Sequence, residues 1–212
     1  SLDRFKRAAT GLCFIAFPLI FVFAFAVHPG LLSPRLLGPE ALALRAHDAG
    51  LLQLAHVLVL LSSALLIPVA LHLMKLLEGS SRAWTGLLGA AAGILGAIIL
   101  AADKGALCLT MSALDTVSPG QFTLMMPGLQ ALFSLQGWMV LLRGIVLLPL
   151  GFAILAIALL RTRALPRWQS ALFLVGVLLV GFPDGAELVN LTASVLMAAA
   201  LVPHGLALLR GA

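Results

Sequence analysis

Long stretches without Asp, Glu, Lys or Arg leave this chain few ways to fold. Thr10 to Val27 and Leu51 to Met74 are two of them. A bilayer core takes roughly 20 apolar residues per helix, and backbone polar groups in lipid must be satisfied within their own segment. Such stretches therefore predict transmembrane helices. The composition agrees, with 62% hydrophobic and 10% charged residues and a mean hydropathy of +1.14. No ten-residue segments alternate polar with apolar residues, which argues against a β-barrel. The expected fold is all-α: one integral membrane domain over residues 1–212, a bundle of six transmembrane helices.

The spans are expected at about 10–28, 51–74, 84–108, 136–160, 168–182 and 188–209. Two connections are long. In the first, Pro39-Glu40-Ala41-Leu42 reads as the start of a short surface helix running into the second span. In the second, Ser118-Pro119-Gly120 reads as a turn, and Pro127-Gly128 as a break before the fourth span. Arg4, Lys6 and Arg7 ahead of an apolar run, with Ala24-Phe25-Ala26 after it, have the form of a signal peptide. The length of the run favours a retained signal-anchor helix.

Basic residues predict orientation. Nine (Arg4, Lys6, Arg7, Lys75, Arg82, Arg161, Arg163, Arg167 and Arg210) fall on one side of this arrangement, against Arg35 and Arg45 in loops on the other. The positive-inside rule places the nine, and both termini, in the cytoplasm. The same bias explains the net charge of +5 without a nucleic-acid partner. The segment Leu160-Arg161-Thr162-Arg163-Ala164-Leu165-Pro166-Arg167-Trp168, followed by the apolar run Leu172–Leu179, resembles a stretch of bacterial multi-helix inner-membrane proteins built from domains of unassigned function. The resemblance implies a bacterial cytoplasmic membrane and carries over no activity or site residue.

Three charges interrupt the apolar runs: Asp103, Lys104 and Arg143. A charge within a span costs a few kcal/mol unless paired or wetted, and so marks a candidate site. At about 1.5 Å per residue, Asp103 and Lys104 lie nearly 30 Å up the third span, and Arg143 roughly 25 Å up the fourth. Gly86, Gly89, Gly93 and Gly96 form a small-residue face for close helix packing, within the bundle or at a subunit seam. Asp103 lies on that face and should point at protein.

His56, Asp184 and Glu187 fall near the same depth as these charges. Gln53 shares a face with His56, Gln136 with Arg143, and Asn190 with Glu187. The set His56, Asp103, Lys104, Arg143, Asp184, Glu187, Gln53, Gln136 and Asn190 is the expected ligand site. Arg143 is expected to pair with Asp103 or, with Lys104, to bind an anionic group. The alternative is a set of snorkelling side chains and structural ion pairs.

Histidines offer a second reading. His72 with His204, and His56 with His28 or His47, are candidate pairs for a b-type haem, with His28, His72 and His204 as its ligands. No metal site is expected: there is no C-x-x-C, and Cys13 and Cys108 fall on opposite sides of the membrane. His47, Asp48 and His56 could join Asp103 or Glu187 around an ion only as a remote alternative. No G-x-S-x-G, H-E-x-x-H or phosphate-binding loop is present, so no catalytic residue is named. Three functions remain: transport or binding of a small, anionic or lipid-like ligand; a haem redox protein; and an enzyme acting on a lipid headgroup. The partners expected are the bilayer, such a ligand, and further copies of the chain or a membrane complex.

Overall fold

The computed structural model describes residues 1–28, 30–33, 37–180 and 186–211, and among these no strand occurs. Nine α-helices follow in order: α1 (Leu2–Ala26), α2 (Pro39–Ala46), α3 (Gly50–Lys75), α4 (Ala83–Lys104), α5 (Thr110–Leu114), α6 (Pro119–Phe133), α7 (Leu147–Thr162), α8 (Arg167–Val180) and α9 (Glu187–Arg210). A π-helical turn, Gly105–Leu109, joins α4 to α5, and a 3-10 segment, Gly137–Val146, leads into α7.

Six helices close a ring in chain order: α1 packs on α3, α3 on α4, α4 on α7, α7 on α8, α8 on α9, and α9 back on α1. Neighbours run antiparallel. Gly11, early in α1, meets Gly205, late in α9, and Gly89 meets the Gly151–Leu155 turn while Gly96 meets Leu148. The shared core includes Phe14, Phe17, Leu73, Leu155, Phe173 and Leu201.

Among the described residues five elements are long and apolar enough to cross a membrane: Leu2–Ala26, Gly50–Lys75, Ala83–Leu114, Gly137–Thr162 and Glu187–Arg210. The chain is a multi-pass membrane protein. Helix α8 is apolar but has 14 residues, about 21 Å at the α-helical rise.

The glycine face of α4 is filled within the chain, by α7. A Cβ on Gly96 would lie 2.2 Å from Leu148 N, and one on Gly151 would lie 2.2 Å from Gly93 N. Only glycine admits this approach, and dispersion over the close backbones is the return.

Three local expectations fail. Ser118-Pro119-Gly120 is a helix start: the Ser118 hydroxyl accepts from Gln121 N–H at 3.4 Å, and Gln121 Oε1 accepts from Ser118 N–H at 3.0 Å. This capping box, with proline in the first turn, outweighs the turn signal. Pro127 lies inside α6 without ending it. Helix α2 does not continue into α3, because Asp48 adopts a left-handed φ of 53° between them.

The fourth span also departs from a plain α-helix. Its first ten residues wind as 3-10, rising about 2.0 Å each where an α-helix rises about 1.5 Å. An unbroken α-helix would put Arg143 about 29 Å above Thr162, and the 3-10 winding adds about 2 Å, giving about 31 Å. That height is the thickness of a hydrocarbon core.

Candidate functional site

Helix α4 ends on Asp103-Lys104, where the π turn begins. A π turn widens the helix by one residue and recurs at functional sites. Around it, Lys104, Leu107, Cys108 and Met111 all line a cavity of about 190 Å³, with His28, His56, Gln53 and Glu187. A larger cavity of about 370 Å³ lies beside it. That chamber is walled mainly by apolar side chains, among them Phe21, Phe25, Val59, Leu100, Leu148 and Val180. His28, His56 and Lys104 line both chambers and form the junction between them.

Each junction group is held by a defined contact. Lys104 Nζ lies 3.0 Å from Asp103 Oδ2, with both side chains largely buried. Successive side chains on a helix normally diverge, but the lysine is long enough to fold back onto its neighbour. His56 Nδ1 donates to the Leu52 carbonyl at 2.9 Å, so its Nε2 keeps a lone pair. His28 has the opposite tautomer. Its Nδ1 accepts from Gly30 N–H at 3.1 Å, and its Nε2 faces Glu187 Oε1 at 3.7 Å. Burial lowers the His28 pKa; Glu187 opposes the shift and Lys104 adds to it. Glu187 Oε2 also accepts from Asn190 Nδ2 at 3.2 Å. The rings of His28 and His56 stand edge to face with centroids 6.4 Å apart.

The junction and its walls thus gather His28, Gln53, His56, Lys104, Glu187 and Asn190, with Asp103 behind Lys104. Arg143 and Gln136 are exposed and line neither chamber, so Arg143 is no partner for Asp103. Asp184 lies outside the described residues.

At the opposite end of the ring His72 Nε2 meets His204 Nε2 at 3.0 Å. An iron held between two trans imidazoles needs those nitrogens about 4 Å apart, twice a metal–nitrogen bond. The two rings hydrogen-bond directly, and the geometry does not fit a haem at that pair.

Asp115 carries no sequence signal beyond being the one acid in the connection from Ala113 to Leu135. Its Oδ1 lies 2.8 Å from His47 Nδ1 and accepts from Asp48 N–H at 3.1 Å, while Gln53 Nε2 donates to Oδ2. Burial pushes the Asp115 pKa up, but the bonds from Gln53, Asp48 and His47 outweigh it and leave the carboxyl below its ordinary value. His47 stacks on Phe122 with centroids 3.9 Å apart. His47, Asp48 and Asp115 present ligand atoms within 4.8 Å of one another. Both oxygens of Asp115 are already committed to hydrogen bonds, as suits a structural clasp. Cys108, Met111 and the apolar walls were equally silent in the sequence, since an apolar residue reads alike whether it faces a cavity or a neighbour.

Among known proteins, no family model, no curated relative and no solved structure matches the chain.

Proposed function

We propose that this protein binds a small amphipathic molecule within the helix ring and, as a membrane protein, serves its transport or presentation. One observation carries the reading: an apolar chamber of about 370 Å³ opens onto a polar junction of His28, His56 and Lys104. Cavities of about 300–1,000 Å³, mostly apolar with a few placed polar groups, are the usual form of small-molecule sites. The apolar body of the ligand would occupy the chamber, and its head would meet Lys104, His28 Nε2–H and the His56 Nε2 lone pair. Arg143 takes no part, so an anionic head would rely on Lys104 and compete with Asp103 for it. In this reading all six ring helices span a bacterial cytoplasmic membrane, α8 at its thinnest point, with both termini in the cytoplasm.

The test is saturable binding of radiolabelled decanoate and decylamine to the protein in nanodiscs, with empty nanodiscs subtracted. Val59→Trp, which fills the chamber, should abolish binding, and Lys104→Met should weaken decanoate more than decylamine. Equal binding to Val59→Trp and to wild type rejects the reading. Reporter fusions after Arg82 and after Arg163 should both report cytoplasm.

A haem between His28 and His56 is the second reading, favoured by the approach of these two rings. It predicts a Soret band after hemin addition that His56→Ala removes.

A further inference from the structure

Helices α2 and α6 stand outside the ring and share a small core with the start of α3 and with α5. Ala43, Ala46, Leu52, Met111, Phe122 and Leu129 are buried together there, and α2 packs on α6. The pair roofs the smaller chamber. Leu42 and Ala46 of α2 and Phe133 of α6 line it on one side, with Lys104 and Cys108 on the other.

Its joints to the ring are unusual. Asp48, between α2 and α3, has φ 53°; Leu135 and Gly137, between α6 and the 3-10 segment, have φ 55° and 59°. A left-handed residue interrupts a right-handed helix, so α2 and α6 are not continuous with the ring helices at these joints. A polar tie runs across the roof. Asp115, between α5 and α6, gathers His47, the Asp48 amide and Gln53 from the α2–α3 side.

We propose that α2 and α6 form a lid over the smaller chamber, with the Asp115 carboxylate as the clasp that holds it shut. The inference rests on the cavity being a ligand site, and it names how that site is reached. With the clasp intact, the lid core and the three bonds to Asp115 hold the roof on the chamber. With the clasp broken, the roof loses those three bonds and leans more on the small core it shares with Leu52 and Met111.

Cys108 is a native reporter, because it lines the chamber beneath the lid. The experiment uses the full chain in nanodiscs, with Cys13→Ser so that Cys108 is its one thiol. The rate of Cys108 modification by a charged, membrane-impermeant methanethiosulfonate is the readout. Asp115→Ala should raise the rate at least tenfold, and Gln53→Ala by a smaller factor. Phe122→Ala, which removes the ring under His47, gives an independent opening of the lid should Asp115→Ala not fold. Folded variants that react at the wild-type rate overturn the lid. Decanoate protection of Cys108 reports the cavity separately: protection without a rate change sinks the lid alone, and a rate change without protection or binding sinks the ligand reading alone.

Discussion

His72 on α3 and His204 on α9 meet Nε2 to Nε2 at 3.0 Å, with Phe14 edge-on to both rings. One imidazole donates and the other accepts, so the bond links the second and last helices of the ring through their shared neighbour α1. Removing one ring strands the polar nitrogen of the other. His72→Ala and His204→Ala should each cost about 1–3 kcal/mol. The double variant should cost well under their sum, because the two act as one unit. Thermal melts of the four proteins in one detergent check this.

The α4–α7 seam should be the least tolerant part of the ring. Gly151→Ala would put a Cβ 2.2 Å from Gly93 N and 2.5 Å from Gly89 O, both backbone atoms that cannot swing aside. A loss of about 3 kcal/mol is expected. Gly128→Ala is the contrast: it lies within α6 with nothing within 4 Å of the added Cβ. It should stabilise by about 0.5–1 kcal/mol through helix propensity. The same melts read both, and equal effects would contradict the packing described.

The Asp103–Lys104 pair should behave as a buried unit. Lys104→Met alone leaves a carboxylate largely out of water and should cost about 3 kcal/mol. Adding Asp103→Asn should recover most of that loss, since the remaining groups are neutral. A double variant as unstable as Lys104→Met would show that lysine has a structural role beyond the pair.

The clasp gives a pH dependence of known sign. The Asp115 carboxyl titrates below its ordinary value of 3.8. Its stabilisation is therefore full above that ordinary value and is lost as the pH falls through the lowered one. His47 and Asp48 are the titratable groups that face it. Hydrogen exchange of the α2 amides should separate wild type from Asp115→Asn at pH 5 to 7, and the gap should close on acidification below 3.8. A gap that widens in acid would assign the clasp to some other group.

Leu135 holds a left-handed φ of 55°, which costs a non-glycine residue about 1–2 kcal/mol. Leu135→Gly should therefore leave the melting temperature unchanged or raise it, despite the loss of a partly buried side chain. A clear fall would mean that leucine packing outweighs the strain.

Much of the bundle was legible before any coordinates. The uncharged runs fixed where helices lie, because hydrogen bonding in lipid leaves the backbone no other choice. The three-and-four spacing of Gly89, Gly93 and Gly96 marked a packing face, and Asp103, in register with it, is buried as that spacing requires. His72 and His204 were matched by depth alone, and they touch.

What the sequence could not fix was rotation and pitch. Arg143 is exposed and lines neither chamber, because its helix turns that side chain away from the bundle, which residue spacing alone does not set. Lys104 reaches both chambers from the last position of α4. Asp115, from a connection between spans, closes on His47 and Gln53 only once α6 has docked on α2. The sequence by itself determined where the long apolar helices lie and which faces are apolar, since those follow from local hydrogen bonding and periodicity. Only the tertiary structure decided which polar groups share a cavity, because that depends on how each helix turns against its neighbours, a sum of packing contacts spread along the whole chain.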